Sequence, residues 1–96
     1  MKVEENILLN KLFDAYGGLL SKGQQDVLSC YLQNDLTVSE IAENLGVSRQ
    51  AVMDSVRKGG ARLFNFEKQL GFVGKIEMLE KEIEMLKEKL SGLKEE

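Results

Sequence analysis

Residues 36–58, LTVSEIAENLGVSRQAVMDSVRK, read as two short helices around a tight turn. Thr37 caps the first helix, and Glu40, three residues on, completes a capping box by reaching back to the cap's own N–H. Ile41, Ala42 and Leu45 fall on one helical face. Gly46 stands where a helix ends in a left-handed residue, a conformation glycine adopts without a side-chain penalty. Val47 supplies an apolar plug in the turn, and Ser48 caps a second helix that starts at Arg49. Val52 and Val56, four residues apart, face inward, so Arg49, Gln50, Met53, Asp54 and Arg57 face outward. Small Ala42 permits a close helix crossing. This is the layout of a DNA-binding helix-turn-helix.

The surrounding chain carries the same helical period. Ile7, Leu8, Leu12, Phe13 and Tyr16 mark a first helix over about residues 3–16, which Gly17-Gly18 breaks. Ser21 and Gln24 form a second capping-box pattern, and Val27, Leu28, Tyr31 and Leu32 give the next helix its apolar stripe. Gln33-Asn34-Asp35 is a turn. These helices support the motif, whose own two helices cannot bury a face alone. After Arg57 the pattern runs on through Leu63, Phe64, Phe66 and Leu70, with Gly59-Gly60 inside it. Two interior glycines cost a helix roughly 1 kcal/mol each relative to alanine. Either the helix bends there, or it passes so close to a neighbour that a side chain would clash.

Leu70-Gly71-Phe72 is a helix stop. Beyond it Ile76, Leu79, Ile83, Leu86, Leu90 and Leu93 alternate spacings of four and three. They form an a/d seam with isoleucine at two a positions and leucine at every d, a choice that favours parallel dimers. In a parallel pair Lys75 faces Glu80 and Glu82 faces Lys87, while Lys89 and Lys94 repel. Ile76, Leu79, Ile83, Leu86 and Leu90 are therefore the expected dimer interface. A single amphipathic helix folded back on the core is the competing reading. Met78 and Met85, seven apart on another side, suggest that this helix also touches its own domain. The expected architecture is all-α: a helix-turn-helix bundle over residues 1–70, then a long C-terminal amphipathic, coiled-coil-like helix over 71–96.

Composition narrows the function classes. The 96 residues suit one domain, and the lack of proline and tryptophan suits an all-helical chain. No apolar run approaches the roughly 20 residues that span a bilayer. The opening MKVEENILLNKLF is acidic and helical rather than a cleavable signal, so a cytoplasmic protein is expected. One cysteine and no histidine exclude an internal disulfide and a Cys/His zinc site, and no cofactor or metal is expected. Cys30 follows Val27 and Leu28 on a helix, as a buried thiol would. Without histidine, a glycine-rich phosphate loop or a nucleophile–base pair, neither an enzyme nor a small-molecule substrate is expected. Glu80 and Glu84 read as a solvated helix face rather than paired catalytic carboxylates.

Net charge is −3, unfavourable for a nucleic-acid binder, but its distribution matters more. Residues 49–68 carry Arg49, Arg57, Lys58, Arg62 and Lys68 against Asp54 and Glu67, a local +3. Residues 71–96 hold a local −2. Arg49 and Gln50 open the second helix of the motif, where arginine suits guanine and glutamine suits adenine in the major groove. Met53 shares their outward face. Arg57 and Lys58, with the hydroxyls of Thr37, Ser39 and Ser48, are placed to hold phosphates. Duplex DNA is the expected partner, and a dimer would present two recognition helices to a palindromic site. An adaptor that kept the fold but binds protein or RNA is the alternative. The acidic total, Asp54 and the Met78/Met85 stripe favour it.

Leu12-Phe13-Asp14 with Tyr16-Gly17 and Leu19-Leu20, then Val47-Ser48-Arg49-Gln50-Ala51-Val52, followed by a long charged helix, resemble a bacterial family. It is the YlxM-type family of proposed DNA-binding proteins, whose genes accompany those of the signal recognition particle. The resemblance covers about residues 6 to 90. Leu36 to Val52 alone also looks like region 4 of sigma factors, which places a helix in the major groove of the promoter −35 element. The resemblance implies a small all-helical regulator linked to the signal recognition particle pathway, with components of that particle as candidate partners. Gly59-Gly60 departs from the helix formers expected of the family at that point, which bears on the straightness of the recognition helix.

Overall fold

The computed structural model describes the backbone of residues 3–95 and the side chains of residues 6–93. Among the described residues there are five α-helices and no strand: α1 (Val3–Tyr16), α2 (Lys22–Leu28), α3 (Val38–Leu45), α4 (Arg49–Leu70) and α5 (Phe72–Glu95). A short 3₁₀ turn (Gly17–Leu19) joins α1 to α2, and a π turn (Ser29–Gln33) continues α2. The helix ends follow the capping chemistry. Ser21 Oγ accepts from Gln24 N–H, and Ser48 Oγ accepts from Ala51 N–H at 3.0 Å. Thr37 and Glu40 make the reciprocal box, with both bonds at 3.1 Å. Gly46 and Gly71 close α3 and α4 at φ 68 and 66, in the left-handed region that disfavours a side chain.

Two apolar clusters share α4. The first joins α1, α2, α4 and the start of α5 through Leu9, Leu12, Tyr16, Leu20, Leu28, Leu63 and Val73. The second lies under the motif and holds Val27, Ile41, Ala42 and Val52. Val56 packs against both, so one helix carries the second helix of the motif at one end and the common core along its length. The π turn splits its residues between them: Leu32 packs on the first cluster, Cys30 and Tyr31 on the second. Cys30 is half-buried at that edge rather than enclosed.

Several expected core positions lie elsewhere. Leu9, not Leu8, completes the α1 stripe, and Ile7 and Leu8 are exposed, because α1 meets its neighbours along the line Leu9, Leu12, Tyr16. Leu45 is 39% exposed and Val47 44%, because α3 ends and the turn begins where α4 no longer covers them. Phe64 and Leu70 also remain partly outside. Among the described side chains of α5 only Val73 is buried, and every one from 78 to 93 is exposed. Met78 and Met85 therefore do not touch the body. Beyond Glu77, which pairs with Lys11 of α1 at 2.9 Å, no described side chain of α5 is covered. The folded-back reading of this helix fails for the same reason.

Gly59-Gly60 does not break α4, which is continuous from Arg49 to Leu70. Close packing explains Gly59: a Cβ there would lie 2.7 Å from Leu28 Cδ1, a methyl that is itself fully enclosed. At Gly60 the nearest atom, Leu9 Cδ2, would be 3.6 Å away, an ordinary contact.

The α4–α5 corner is held by a polar clasp. Tyr16 Oη donates to Glu67 Oε1 at 2.6 Å and accepts from Phe72 N–H at 3.0 Å. Glu67 accepts from Val73 N–H and Gly74 N–H, each at 3.0 Å. Three first-turn N–H groups of α5, which no helix can satisfy internally, are thus bonded by side chains from α1 and α4. The Tyr16 hydroxyl, joined by the Gly74 and Val73 N–H groups, holds the Glu67 carboxyl below its ordinary range against the opposing effect of partial burial. Burial, and then the bond to Glu67, raises the Tyr16 phenol.

Two measurements check this packing. Gly60→Ala should raise stability by about 0.5–1 kcal/mol in urea unfolding. Gly59→Ala gains the same propensity but must displace Leu28, an overpacking that costs about 1–3 kcal/mol, so it should rank below both Gly60→Ala and the parent. Because the Glu67 carboxyl is depressed, its contribution is complete above the ordinary carboxylate range. It is lost as pH falls through the depressed value. Glu67→Gln should therefore lower the melting temperature at pH 7 and shrink the further drop between pH 7 and pH 3, read by circular dichroism.

Candidate nucleic-acid interface

The motif presents the start of α4 to solvent. Ser48 fixes the first turn, and Val52, fully enclosed beneath Ile41 and Ala42, anchors the opposite face. Rotation about the helix axis then forces Arg49, Gln50, Met53 and Arg57 outward, and all four are exposed. Lys58 is exposed further round the helix. Thr37, Ser39 and Ser48 are exposed at the N-termini of α3 and α4. Thr37 and Ser48 use their oxygens to accept cap bonds, which leaves each O–H proton available to a phosphate oxygen. The expected site residues are thus all exposed, on or at the starts of two helices joined by the Gly46 turn.

Asp54 sits at the centre of this face and is engaged on both sides. It accepts from Gln50 Nε2 and from Arg57 Nη2, both at 3.2 Å. The Arg57 bond, then the Gln50 bond, holds the Asp54 carboxyl below its usual range, so it is anionic at neutral pH. Two of the side chains expected to touch DNA are therefore occupied by an internal acceptor. The pairs are exposed, and surface pairs of this kind are weak enough for a stronger acceptor to replace them.

The local +3 of residues 49–68 does not gather on one face. Arg62 points to the other side, where its guanidinium meets Gln24 Oε1 at 3.1 Å and lies 5.5 Å from the Phe66 ring centroid. Arg49, Arg57 and Lys58 are the cations left around the motif.

One feature beside the site escaped the sequence reading. Met53, Val56, Arg57, Gly60, Ala61 and Phe64 line a mainly apolar groove of about 440 Å³, closed by Leu9, Tyr31 and Val38. Met53 is 54% exposed at its edge. The signal was present as the spacing Met53, Arg57, Gly60, Phe64, which repeats along one helix face. Gly60 disguised it, since its missing side chain leaves part of the floor open.

A family model described as "Putative helix-turn-helix protein, YlxM / p13 like" matches residues 3–96. The UPF0122 protein YlxM of Bacillus subtilis is 38% identical over 96 residues, covering 100% of this chain and 87% of the relative. A UPF0122 protein of Fusobacterium nucleatum is 39% identical over 88 residues, covering 92% and 85% of the two chains. One from Acetivibrio thermocellus is 44% identical over 78 residues, covering 80% and 67%. Among the described residues no helix is long and apolar enough to cross a membrane. With the capped turn, the enclosed Val52 and the outward Arg49 and Gln50 in place, the chain belongs to the UPF0122 family of YlxM / p13-like helix-turn-helix proteins.

Proposed function

We propose that this protein is a DNA-binding regulatory protein of the cytoplasm that works as a homodimer. Residues 1–70 form its helix-turn-helix unit and 71–96 the arm that joins two copies. The observation that carries the reading is the exposed start of α4, with Arg49 and Gln50 in its first turn above an enclosed Val52. Arg49 and Gln50 read base edges in the major groove, with Met53 in apolar contact beside them. Arg57, Lys58, Thr37, Ser39 and Ser48 hold the backbone and set the register. The likeness of Leu36 to Val52 to sigma region 4 supports the same placement. The gene neighbourhood of the YlxM-type family supports a link to the signal recognition particle pathway. The arm presents Ile76, Leu79, Ile83, Leu86 and Leu90 as one unpartnered apolar line, which supports pairing through α5.

A second reading has its own observation. Asp54 holds Gln50 and Arg57, and an apolar groove opens beside Met53. Both favour an adaptor that binds protein or RNA of the signal recognition particle system and has little affinity for DNA.

Gel-shift titrations at low salt separate the two. Asp54→Asn removes the competing charge at Gln50 and Arg57 and should tighten binding to any duplex. Arg57→Ala should weaken binding about equally for all sequences, with a shallower salt dependence. Arg49→Ala should cost roughly 1–3 kcal/mol on a specific site and little on random duplex. No complex with either the parent or the Asp54→Asn protein would leave the adaptor reading standing. Sedimentation at tens of micromolar should give a dimer, and Ile83→Asp should give a monomer that keeps its helix content.

A further inference from the structure

The free face of α5 carries a charge pattern that selects how a second copy lies on it, a step that rests on the homodimer reading above. Ile76, Leu79, Ile83, Leu86, Leu90 and Leu93 are 50–69% exposed, and the face that meets α1, with Val73 and Glu77, adjoins this line only at Ile76, which with Glu80 borders the groove against Lys11, Asp14 and Ala15. Two copies of this line offer on the order of 1,000–1,400 Å² to each other, within reach of a standard specific interface. The flanking charges then decide orientation, because e and g positions set it.

In a parallel pair, g residues meet e residues of the partner. Lys75–Glu80 and Glu82–Lys87 attract, but Lys89 meets Lys94. In an antiparallel pair, g meets g and e meets e. With Ile83 layered on the partner's Leu86, Glu82 meets Lys89 and Glu80 meets Lys87, each twice by symmetry. Neither flank then brings like charges together. Sliding one heptad toward the N-terminus sets Lys75 on Lys89, Glu82 on Glu82 and Glu80 on Glu80. Sliding the other way sets Lys89 on Lys89 and Lys87 on Lys87. The layers of the centred arrangement are Ile76–Leu93, Leu79–Leu90 and Ile83–Leu86, so each β-branched residue meets a leucine.

We infer that the protein pairs through an antiparallel α5–α5 coiled coil centred between Ile83 and Leu86. The two helix-turn-helix units then sit at opposite ends of the joined arms, their Ile76 residues about 26 Å apart along the axis.

Charge reversal tests orientation with opposite signs. Lys89→Glu sets two glutamates against Glu82 in the antiparallel pair and should weaken the dimer by about fivefold to tenfold in sedimentation equilibrium. In a parallel pair it would relieve the clash with Lys94 and tighten the dimer, which would overturn the proposal. Adding Glu82→Lys to Lys89→Glu should tighten the dimer back to parental affinity in the antiparallel arrangement, whereas in a parallel pair it would set a new lysine against Lys87 and loosen what Lys89→Glu had tightened. Cysteine capture in a Cys30→Ser background gives the register. Mixed Leu79→Cys and Leu90→Cys proteins should form the mixed disulfide. Leu79→Cys alone should not couple to itself, since its two copies lie about 16 Å apart along the axis, beyond disulfide reach. Self-coupling of Leu79→Cys would overturn the orientation and keep the dimer. A parent that sediments as a monomer would overturn the homodimer reading itself. A dimer with neither disulfide would place the contact on another face.

Discussion

Everything in this small fold depends on how closely α4 can approach α2. With 96 residues there is little apolar surface to spend, and one helix must serve both clusters. Gly59 lets the backbone of α4 settle onto the enclosed Leu28, and Leu63 and Val52 then reach opposite clusters from the same face. A side chain at 59 would lift α4 and loosen both at once. The helical propensity given up at this position is exchanged for the approach that makes the core continuous.

The same helix fixes the outward face. Because Val52 and Leu63 must point inward, Arg49, Gln50, Met53 and Arg57 have no other direction available. What they meet there is not a uniformly basic surface. Asp54 draws in Gln50 and Arg57, and Arg62 turns away to Gln24 and Phe66. Under the proposed function, this face offers the major groove a suitable helix but opposes tight phosphate binding by its electrostatics. The proposed symmetric pair would offer a way round that weakness, since two weak units joined rigidly bind with a high effective concentration for the second.

Such a joining would require an arm held in a defined direction. The Tyr16–Glu67 clasp supplies it by bonding three N–H groups of α5 from outside the helix. Gly71 makes the corner, and without the clasp a single left-handed residue would leave the arm free to swing. Val73 extends the apolar core into the first turn of α5 and covers the same corner from beneath.

The amino-acid sequence determined by itself the all-helical class, the five helices, their caps at Ser21, Thr37 and Ser48, and the turn at Gly46. These are local events: a hydroxyl three residues from an N–H, or a glycine where φ must be positive. The outward set Arg49, Gln50, Met53 and Arg57 was equally legible, since the 3.6-residue period fixes which residues share a face. Tertiary structure alone decided which apolar residues were covered. Leu9 took the place of Leu8, and Leu45, Val47, Met78 and Met85 stayed in solvent, because burial depends on where neighbouring helices end and not on periodicity. It also decided between a bend and a close approach at Gly59, which turns on one methyl of Leu28. The diversion of Arg62 to Gln24 belongs there too, since a count of charges carries no direction, whereas the Asp54 bonds to Gln50 and Arg57 are local pairs of one helix. The clasp was beyond sequence reading for the plainest reason: Tyr16 and Glu67 stand 51 residues apart, and only the folded chain brings a phenol to a carboxylate across that distance.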